Sequence, residues 1–75
     1  MQRLGTVSRT AQGLAIVRAP EGSTPDIGTM AVDESLSTVG RVVDVFGPVD
    51  HPYLAITPNS GVHLPELLGQ KLYAR

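Results

Sequence analysis

Turn-forming residues recur along the whole of this 75-residue chain, and their spacing constrains the fold more than any other feature. Eight glycines and six prolines divide the sequence into short apolar segments rich in β-branched residues. In the first half of the chain, no stripe with the 3.6-residue period of an amphipathic helix survives these interruptions. We therefore predict an all-β fold in one domain, residues 1–75, because a chain of this size has a single hydrophobic core.

Six short strands and one helical turn are predicted. The strands are expected at residues 4–8, 14–17, 29–32, 39–46, 53–57 and 71–74, and the helical turn at residues 65–68. Gly13 is expected to take a positive φ, or to form a bulge, where the chain first reverses. Residues 19–28, rich in proline and glycine, are expected to form a surface loop. This pattern is typical of a small barrel or sandwich, and closure would remove exposed strand edges.

Residues 39–58 read as a strand, a stiff loop and a second strand. Alternation along the first strand places Val43 and Val45 on one face and Val42 and Phe46 on the other. Both faces are thus apolar, although the chain has only one core to fill. We interpret the surplus apolar row as a surface that another protein covers.

The loop that follows this strand carries the residues typical of a binding site. Pro48 and Pro52 restrict its freedom, so ordering the loop on a partner costs less entropy. Phe46 and Tyr53 are the aromatic anchors expected at the centre of an interface. A second interpretation stays open, in which Phe46 is the largest residue of the barrel core.

Composition narrows the cellular setting. The chain has no cysteine, so disulfides and thiolate zinc sites are excluded, and a reducing, cytoplasmic location is expected. No apolar run approaches the roughly 20 residues of a membrane span. The first residues lack the apolar segment of a signal peptide, so we expect a soluble protein without a membrane partner.

Charge and aromatic content disfavour autonomous nucleic-acid binding. Six basic residues face seven acidic ones, and no basic block supplies the phosphate contacts on which such binding depends. Three aromatic residues make a small stacking platform. We expect weak or no autonomous RNA binding, with a small β-barrel that binds RNA directly in ribosome assembly as the alternative.

The side chains needed for catalysis are sparse. His51 and His63 lie twelve residues apart in different loops with no cysteine near them, so we predict no metal site. Asp44 and Asp50 suit a strand surface and a turn better than a carboxylate pair. The glycines lack the spacing of a nucleotide-binding fingerprint. We predict that the chain is not an enzyme and has no cofactor.

Several sequence motifs are shared with a known family. The longest is Val-Gly-x-Val-x-Asp-Val-Phe-Gly-Pro-Val at residues 39–49, with Pro-Tyr at 52–53 and Ile-x-Pro at 56–58. Others are Arg-Leu-Gly-x-Val at 3–7, Gly-Leu-Ala-Ile-Val-Arg at 13–18 and Gly-Gln-Lys-Leu-Tyr at 69–73. With these motifs the chain resembles the core domain of the glycine-arginine-rich accessory subunit of H/ACA ribonucleoproteins, in its archaeal form. The sequence has none of the glycine-arginine-rich tails of the eukaryotic members.

The resemblance implies a fold and a role. The fold is a six-stranded Greek-key β-barrel of the kind found in translation-factor and reductase domains. The role is that of a non-catalytic subunit that binds the catalytic domain of a dyskerin-type pseudouridine synthase, in a complex with a guide RNA and two other small proteins. Such a subunit lies away from the guide RNA and acts on the substrate-gripping loop of the synthase. It thereby promotes substrate loading and turnover in rRNA and tRNA pseudouridine synthesis and in ribosome biogenesis.

The resemblance also selects candidate interface residues. Carried over by motif position, these partner-binding candidates are Val42, Phe46, Gly47, Pro48, Val49, Pro52 and Tyr53.

Overall fold

The computed structural model describes residues 2–20 and 24–75, which form a closed antiparallel β-barrel. Its strands are β1 (Gln2–Ala11), β2 (Leu14–Arg18), β3 (Met30–Val32), β4 (Thr38–Phe46), β5 (Tyr53–Pro58) and β6 (Lys71–Ala74), with a 3-10 turn at Leu64–Leu67. The order around the barrel is β1-β2-β5-β4-β3-β6. Because β5 returns to lie beside β2 after the β3–β4–β5 meander, the topology is a Greek key. The predicted fold class is confirmed.

The tight turn between β1 and β2 shows how local sequence begins the barrel. Ala11 pairs with Leu14, which leaves Gln12 and Gly13 as the two turn residues. Their φ angles are 54° and 78°, and two central residues at positive φ match the twist of a hairpin. The positive φ predicted for Gly13 is confirmed.

The long connection from β2 to β3 contains no strand or helix at residues 19–20 and 24–28, and residues 21–23 lie outside the described part of the chain. Ala19 is buried, and its amide donates to the carbonyl of Pro52 at 3.0 Å. At the other end, the amide of Gly28 donates to the carbonyl of Val42 at 2.7 Å. Both ends of the predicted surface loop are therefore fixed to the β4–β5 side of the barrel.

Aliphatic side chains from all six strands and the 3-10 turn fill the barrel interior. The largest fully buried side chains of this core are Leu4, Leu54, Ile56, Leu72, Val7, Val17 and Val42. No polar or charged residue is buried within the described ranges. With no cysteine available, apolar burial at about 25 cal/mol per Å² supplies the main stabilising free energy.

Two buried glycines allow neighbouring strands to approach closely. A Cβ atom at Gly5 would collide with the carbonyl oxygen of Arg18, and one at Gly40 would collide with the carbonyl oxygen of Thr57. Gly5 also has a φ of 138° and lies where the β1–β6 register shifts. Glycine at such close approaches is typical of strongly bent barrel strands.

A β-bulge at Val43 decides which side chains of β4 face the core. Val42 and Asp44 pair with consecutive residues of β5, so Val43 is an extra residue. A bulge shifts the alternation by one position. Val42 and Val45 therefore both pack against the core, whereas Phe46 points outward. The uninterrupted alternation that placed Val42 with Phe46 and Val43 with Val45 is wrong for this reason.

Candidate functional site

An exposed aromatic pair closes the hairpin of β4 and β5. Phe46 and Tyr53 are directly opposed across the two strands. Their ring centroids lie 5.8 Å apart with 24° between the ring planes, which is a favourable stacked arrangement. Phe46 is 39% exposed and lies outside the core cluster. The interpretation of Phe46 as the largest core residue is therefore wrong, and its ring has a face open to a partner.

The loop between these rings places an aliphatic side chain at its tip. Gly47 has a φ of 94°, and a Cβ atom there would lie 3.0 Å from the ring of Tyr53. The amide of His51 donates to the carbonyl of Pro48 at 3.2 Å, which forms a turn. Val49 lies within this turn and is 94% exposed. The loop thus displays Val49 beside the aromatic pair at little cost in conformational entropy.

Two of the seven candidates lie inside the protein. Val42 is 1% exposed and belongs to the core, and Pro52 is buried with its carbonyl bonded to the amide of Ala19. Their side chains support the hairpin from within. We define the hairpin-tip surface by the five remaining candidates: Phe46, Gly47, Pro48, Val49 and Tyr53.

Further exposed apolar residues lie along the middle of β4 and on the segment that pairs with it. Val43 is 38% exposed because the bulge turns it outward, and Ile27 and Met30 are 61% and 39% exposed. The hydrogen bond from Gly28 to Val42 brings Ile27 alongside β4 near Val43. In the sequence, the surplus of valine in residues 39–46 indicated that an apolar residue of this strand, such as Val43, would face outward. Ile27 belongs to a loop and lacked such a signal.

At the other end of β4, the turn that precedes the strand is held together by the carboxylate of Asp33. Its carboxylate accepts hydrogen bonds from the amide and hydroxyl of Ser35 at 2.9 and 2.7 Å and from the amide of Ser37 at 3.1 Å. The hydrogen bond from the Ser35 hydroxyl, more than any other contact, lowers the pKa of Asp33 below its ordinary value. Leu36, in the same turn, has a φ of 69° and is 57% exposed. This turn fixes the β3–β4 connection far from the hairpin tip.

The polar residues considered for chemistry make only local contacts. The carboxylate of Asp44 accepts a hydrogen bond from the amide of Val45 at 2.9 Å. The Nδ1 atom of His63 lies 3.5 Å from a carboxylate oxygen of Glu66, and both side chains are exposed. Within residues 2–20 and 24–75, no three histidine, cysteine or acidic side chains cluster as metal ligands would. In the same ranges, no helix has the length and hydropathy to cross a membrane.

The described residues thus form a small closed β-barrel that carries a partly exposed aromatic pair on its outer surface. The family model described as the Gar1/Naf1 RNA binding region matches residues 1–75. The chain belongs to this family, which associates it with ribonucleoproteins and confirms the resemblance found in its motifs. A relative, an uncharacterized protein of Methanothermobacter thermautotrophicus, is 29% identical over 77 residues. The match covers 97% of this chain and 82% of the relative.

Proposed function

We propose that the chain is a non-catalytic subunit of an H/ACA RNA-guided pseudouridylation complex and binds the catalytic domain of a dyskerin-type pseudouridine synthase. Family membership supports the association with ribonucleoproteins. The main support for a contact with a protein is Phe46, which is 39% exposed and lies outside the core. An aromatic ring held open beside an apolar loop is typical of an interface anchor.

The hairpin-tip surface is organised before any partner binds. Stacking on Tyr53 orients the ring of Phe46, and Pro48 restricts the loop that presents Val49. Association therefore orders few additional side chains, each of which would cost roughly 0.5–1.5 kcal/mol. A central aromatic anchor can contribute 2 kcal/mol or more. The stacked rings and the restricted loop would therefore let the hairpin-tip surface dock on the synthase as a rigid unit.

In this proposal the synthase performs the isomerisation, and the barrel promotes substrate loading and turnover in rRNA and tRNA modification and in ribosome biogenesis. The guide RNA and the two other small proteins of the complex are indirect partners. The complex would work in the cytoplasm.

The direct test measures association and turnover. The purified chain is titrated into its cognate synthase by calorimetry, and we expect a one-to-one complex at micromolar concentration or below. Pseudouridine formation is then followed with substrate in excess over the assembled complex. Addition of the chain should raise the rate of repeated turnover. Absence of a complex at micromolar concentration would refute the proposal.

A pair of matched variants locates the contact. Val49→Asp places a negative charge at the hairpin tip, whereas Leu36→Asp places the same charge in the turn at the opposite end of β4. Both side chains are exposed, at 94% and 57%, and aspartate tolerates the positive φ of residue 36. We expect only Val49→Asp to weaken the complex. Equal weakening by both variants would contradict docking through the hairpin-tip surface.

A further inference from the structure

One row of directly opposed residues crosses the strands β4, β5, β2, β1 and β6. Phe46 of β4 is opposed by Tyr53 of β5, and Tyr53 is opposed on its other side by Arg18 of β2. Arg18 is opposed by Thr6 of β1, and Thr6 by Lys71 of β6. We call these five residues the outer row. It begins with two residues of the hairpin-tip surface and ends with a cation.

Burial along each strand shows that the outer row faces away from the core. Each member is followed or preceded in the chain by a residue that packs in or against the core: Val45, Leu54, Val17, Val7 and Leu72. Because successive side chains of a strand point to opposite faces of the sheet, the members of the row point outward. Phe46, Arg18 and Lys71 are exposed, and Tyr53 and Thr6 are half-buried. One partner surface can therefore contact the whole row.

The part of the outer row beyond the aromatic pair is positively charged. Arg18 and Lys71 flank Thr6, and the guanidinium of Arg3 donates to the hydroxyl of Thr6 at 3.4 Å. The strands β1, β2 and β6 carry no acidic residue. Within residues 2–20 and 24–75, no acidic side chain forms an ion pair with any of these three cations. The outer row thus combines an aromatic end with a cationic end.

The size of an ordinary protein interface connects the two ends. Since neighbouring strands lie about 4.8 Å apart, the chain position of Arg18 is about 5 Å from that of Tyr53, and Lys71 is about 15 Å from Tyr53 around the sheet. A partner that buries about 800 Å² of one protein covers a patch roughly 30 Å across. A patch centred on the stacked rings of Phe46 and Tyr53 therefore includes Arg18 well inside its border and Lys71 near its rim.

Covering the guanidinium of Arg18 opposes binding unless the partner supplies an opposite charge. A charge that loses its water is strongly destabilising when no counter-charge and no hydrogen bonds replace that water. The planar guanidinium matches a carboxylate, which it binds through two parallel N–H donors. Docking through the aromatic pair thus requires a carboxylate of the partner opposite Arg18.

We infer that the protein surface that covers Phe46 carries carboxylates about 10 Å away from that ring, two strand spacings along the outer row. One of them pairs with Arg18, and Lys71 attracts them from the rim. The inference rests on the proposed function and deepens it, because it gives the chemistry of the synthase surface as an apolar pocket bordered by acidic side chains. A nucleic acid would match the cations, but it has no apolar pocket for Val49, which is 94% exposed at the hairpin tip.

The test measures binding of the full chain to its cognate synthase without guide RNA, by surface plasmon resonance at 50 and 500 mM salt. Arg18→Gln should raise the Kd about 30-fold at the lower salt, because a carboxylate of the partner is left buried without its cation. Arg18→Lys keeps the charge without the two parallel donors, so its Kd should lie between those of the unaltered protein and Arg18→Gln. A Kd of Arg18→Gln within threefold of the unaltered protein would overturn the inference.

Arg75→Gln is the matched control, because it removes the same charge at the opposite end of β4. There the guanidinium of Arg75 donates to the hydroxyl of Thr38 at 3.1 Å. The Kd of Arg75→Gln should stay within twofold of the unaltered protein. Equal effects of Arg18→Gln and Arg75→Gln would mean that the complex responds to net charge alone, and the inference would be wrong.

Lys71→Gln tests the rim of the same surface. It should lower the association rate constant about threefold at 50 mM salt and leave the dissociation rate nearly unchanged, because a rim charge acts mainly on encounter. The difference should disappear at 500 mM salt, where charges are screened within a few ångströms. If circular dichroism shows that Arg18→Gln is unfolded, this variant decides, and an unchanged association rate then contradicts the inference.

Two comparisons separate the inference from its alternatives. The measurements are repeated with guide RNA bound to the synthase, and an effect of Arg18→Gln that appears only then would assign the cations to RNA and refute the inference. Binding that responds to Val49→Asp but not to Arg18→Gln leaves the proposed function standing and removes the inference. Absence of any complex with the unaltered chain refutes both.

Discussion

Replacement of Phe46 by alanine distinguishes a surface role from a core role, and the exposure of the ring sets the magnitude. An aromatic side chain buries roughly 200 Å² when fully covered. At 39% exposure, about 120 Å² is covered by Tyr53 and its neighbours. At about 25 cal/mol per Å², and allowing for the methyl group that alanine keeps, the substitution should lower the free energy of unfolding by about 2 kcal/mol. No cavity term is added, because water fills a site at the surface.

That loss leaves the barrel folded. A chain of 75 residues with about 0.05–0.15 kcal/mol per residue has a free energy of unfolding of roughly 4–11 kcal/mol. The exposed part of the ring, about 80 Å², would contribute about 2 kcal/mol if the synthase covered it. Its removal should therefore raise the Kd of the complex about 30-fold.

Calorimetry with the synthase measures the Kd, and urea unfolding followed by circular dichroism measures the stability of the free variant. Leu36→Ala is the matched control, because it removes a large exposed apolar side chain at the opposite end of β4. Its Kd should stay within twofold of the unaltered protein. Loss of the folded spectrum in Phe46→Ala, or a Kd that changes less than threefold, would refute this reasoning.

Three further substitutions test the structure that supports the site. Gly40→Ala should lower the free energy of unfolding by about 3 kcal/mol in urea, since its methyl group meets the backbone of Thr57; a loss below about 1 kcal/mol would contradict the close approach. Gly47→Ala should destabilise the hairpin by about 1 kcal/mol and weaken synthase binding, because residue 47 has a positive φ and its Cβ would press on Tyr53; an unchanged Kd would show that the loop conformation is irrelevant to docking. Asp33→Ala should be less stable than the unaltered protein at pH 7. The lowered pKa of Asp33 means that its hydrogen bonds stabilise the fold above its ordinary pKa of 3.8 and that this contribution is lost as pH falls through the folded-state value. The stability difference measured in urea should therefore narrow in acid, and a difference independent of pH would contradict this.

Local sequence signals located most of the secondary structure. The strand predicted at residues 71–74 coincides with β6, and the strands predicted at 39–46 and 53–57 differ from β4 and β5 by one residue. The longest difference is in β1, which extends over Gln2–Ala11. The pairing register of β1 shifts once against β6 and once against β2, and each shift interrupts the alternation of side chains. Alternation over residues 4–8 could therefore show only the regular middle of the strand.

The candidate site was less accessible to sequence reasoning. The motif at residues 39–49 indicated the correct loop, and Phe46, Gly47, Pro48 and Val49 are exposed there. It did not distinguish these residues from Val42, which is buried. Pattern alone does not show where a bulge inserts an extra residue, because the bulge depends on pairing with β5.

By itself, the sequence determined the all-β class, the strand–loop–strand at residues 39–58 and, through its motifs, the family. These properties depend on residues that are close together in the sequence, including the turn-forming glycines and prolines, so the sequence alone reveals them. The tertiary structure decided the outward orientation of Phe46 and the gathering of Arg3, Arg18 and Lys71 on one face. A net charge sums over the sequence without regard to position, whereas strand register brings residues from β1, β2 and β6 side by side. Arg3, Arg18 and Lys71 therefore become neighbours only once the barrel has closed.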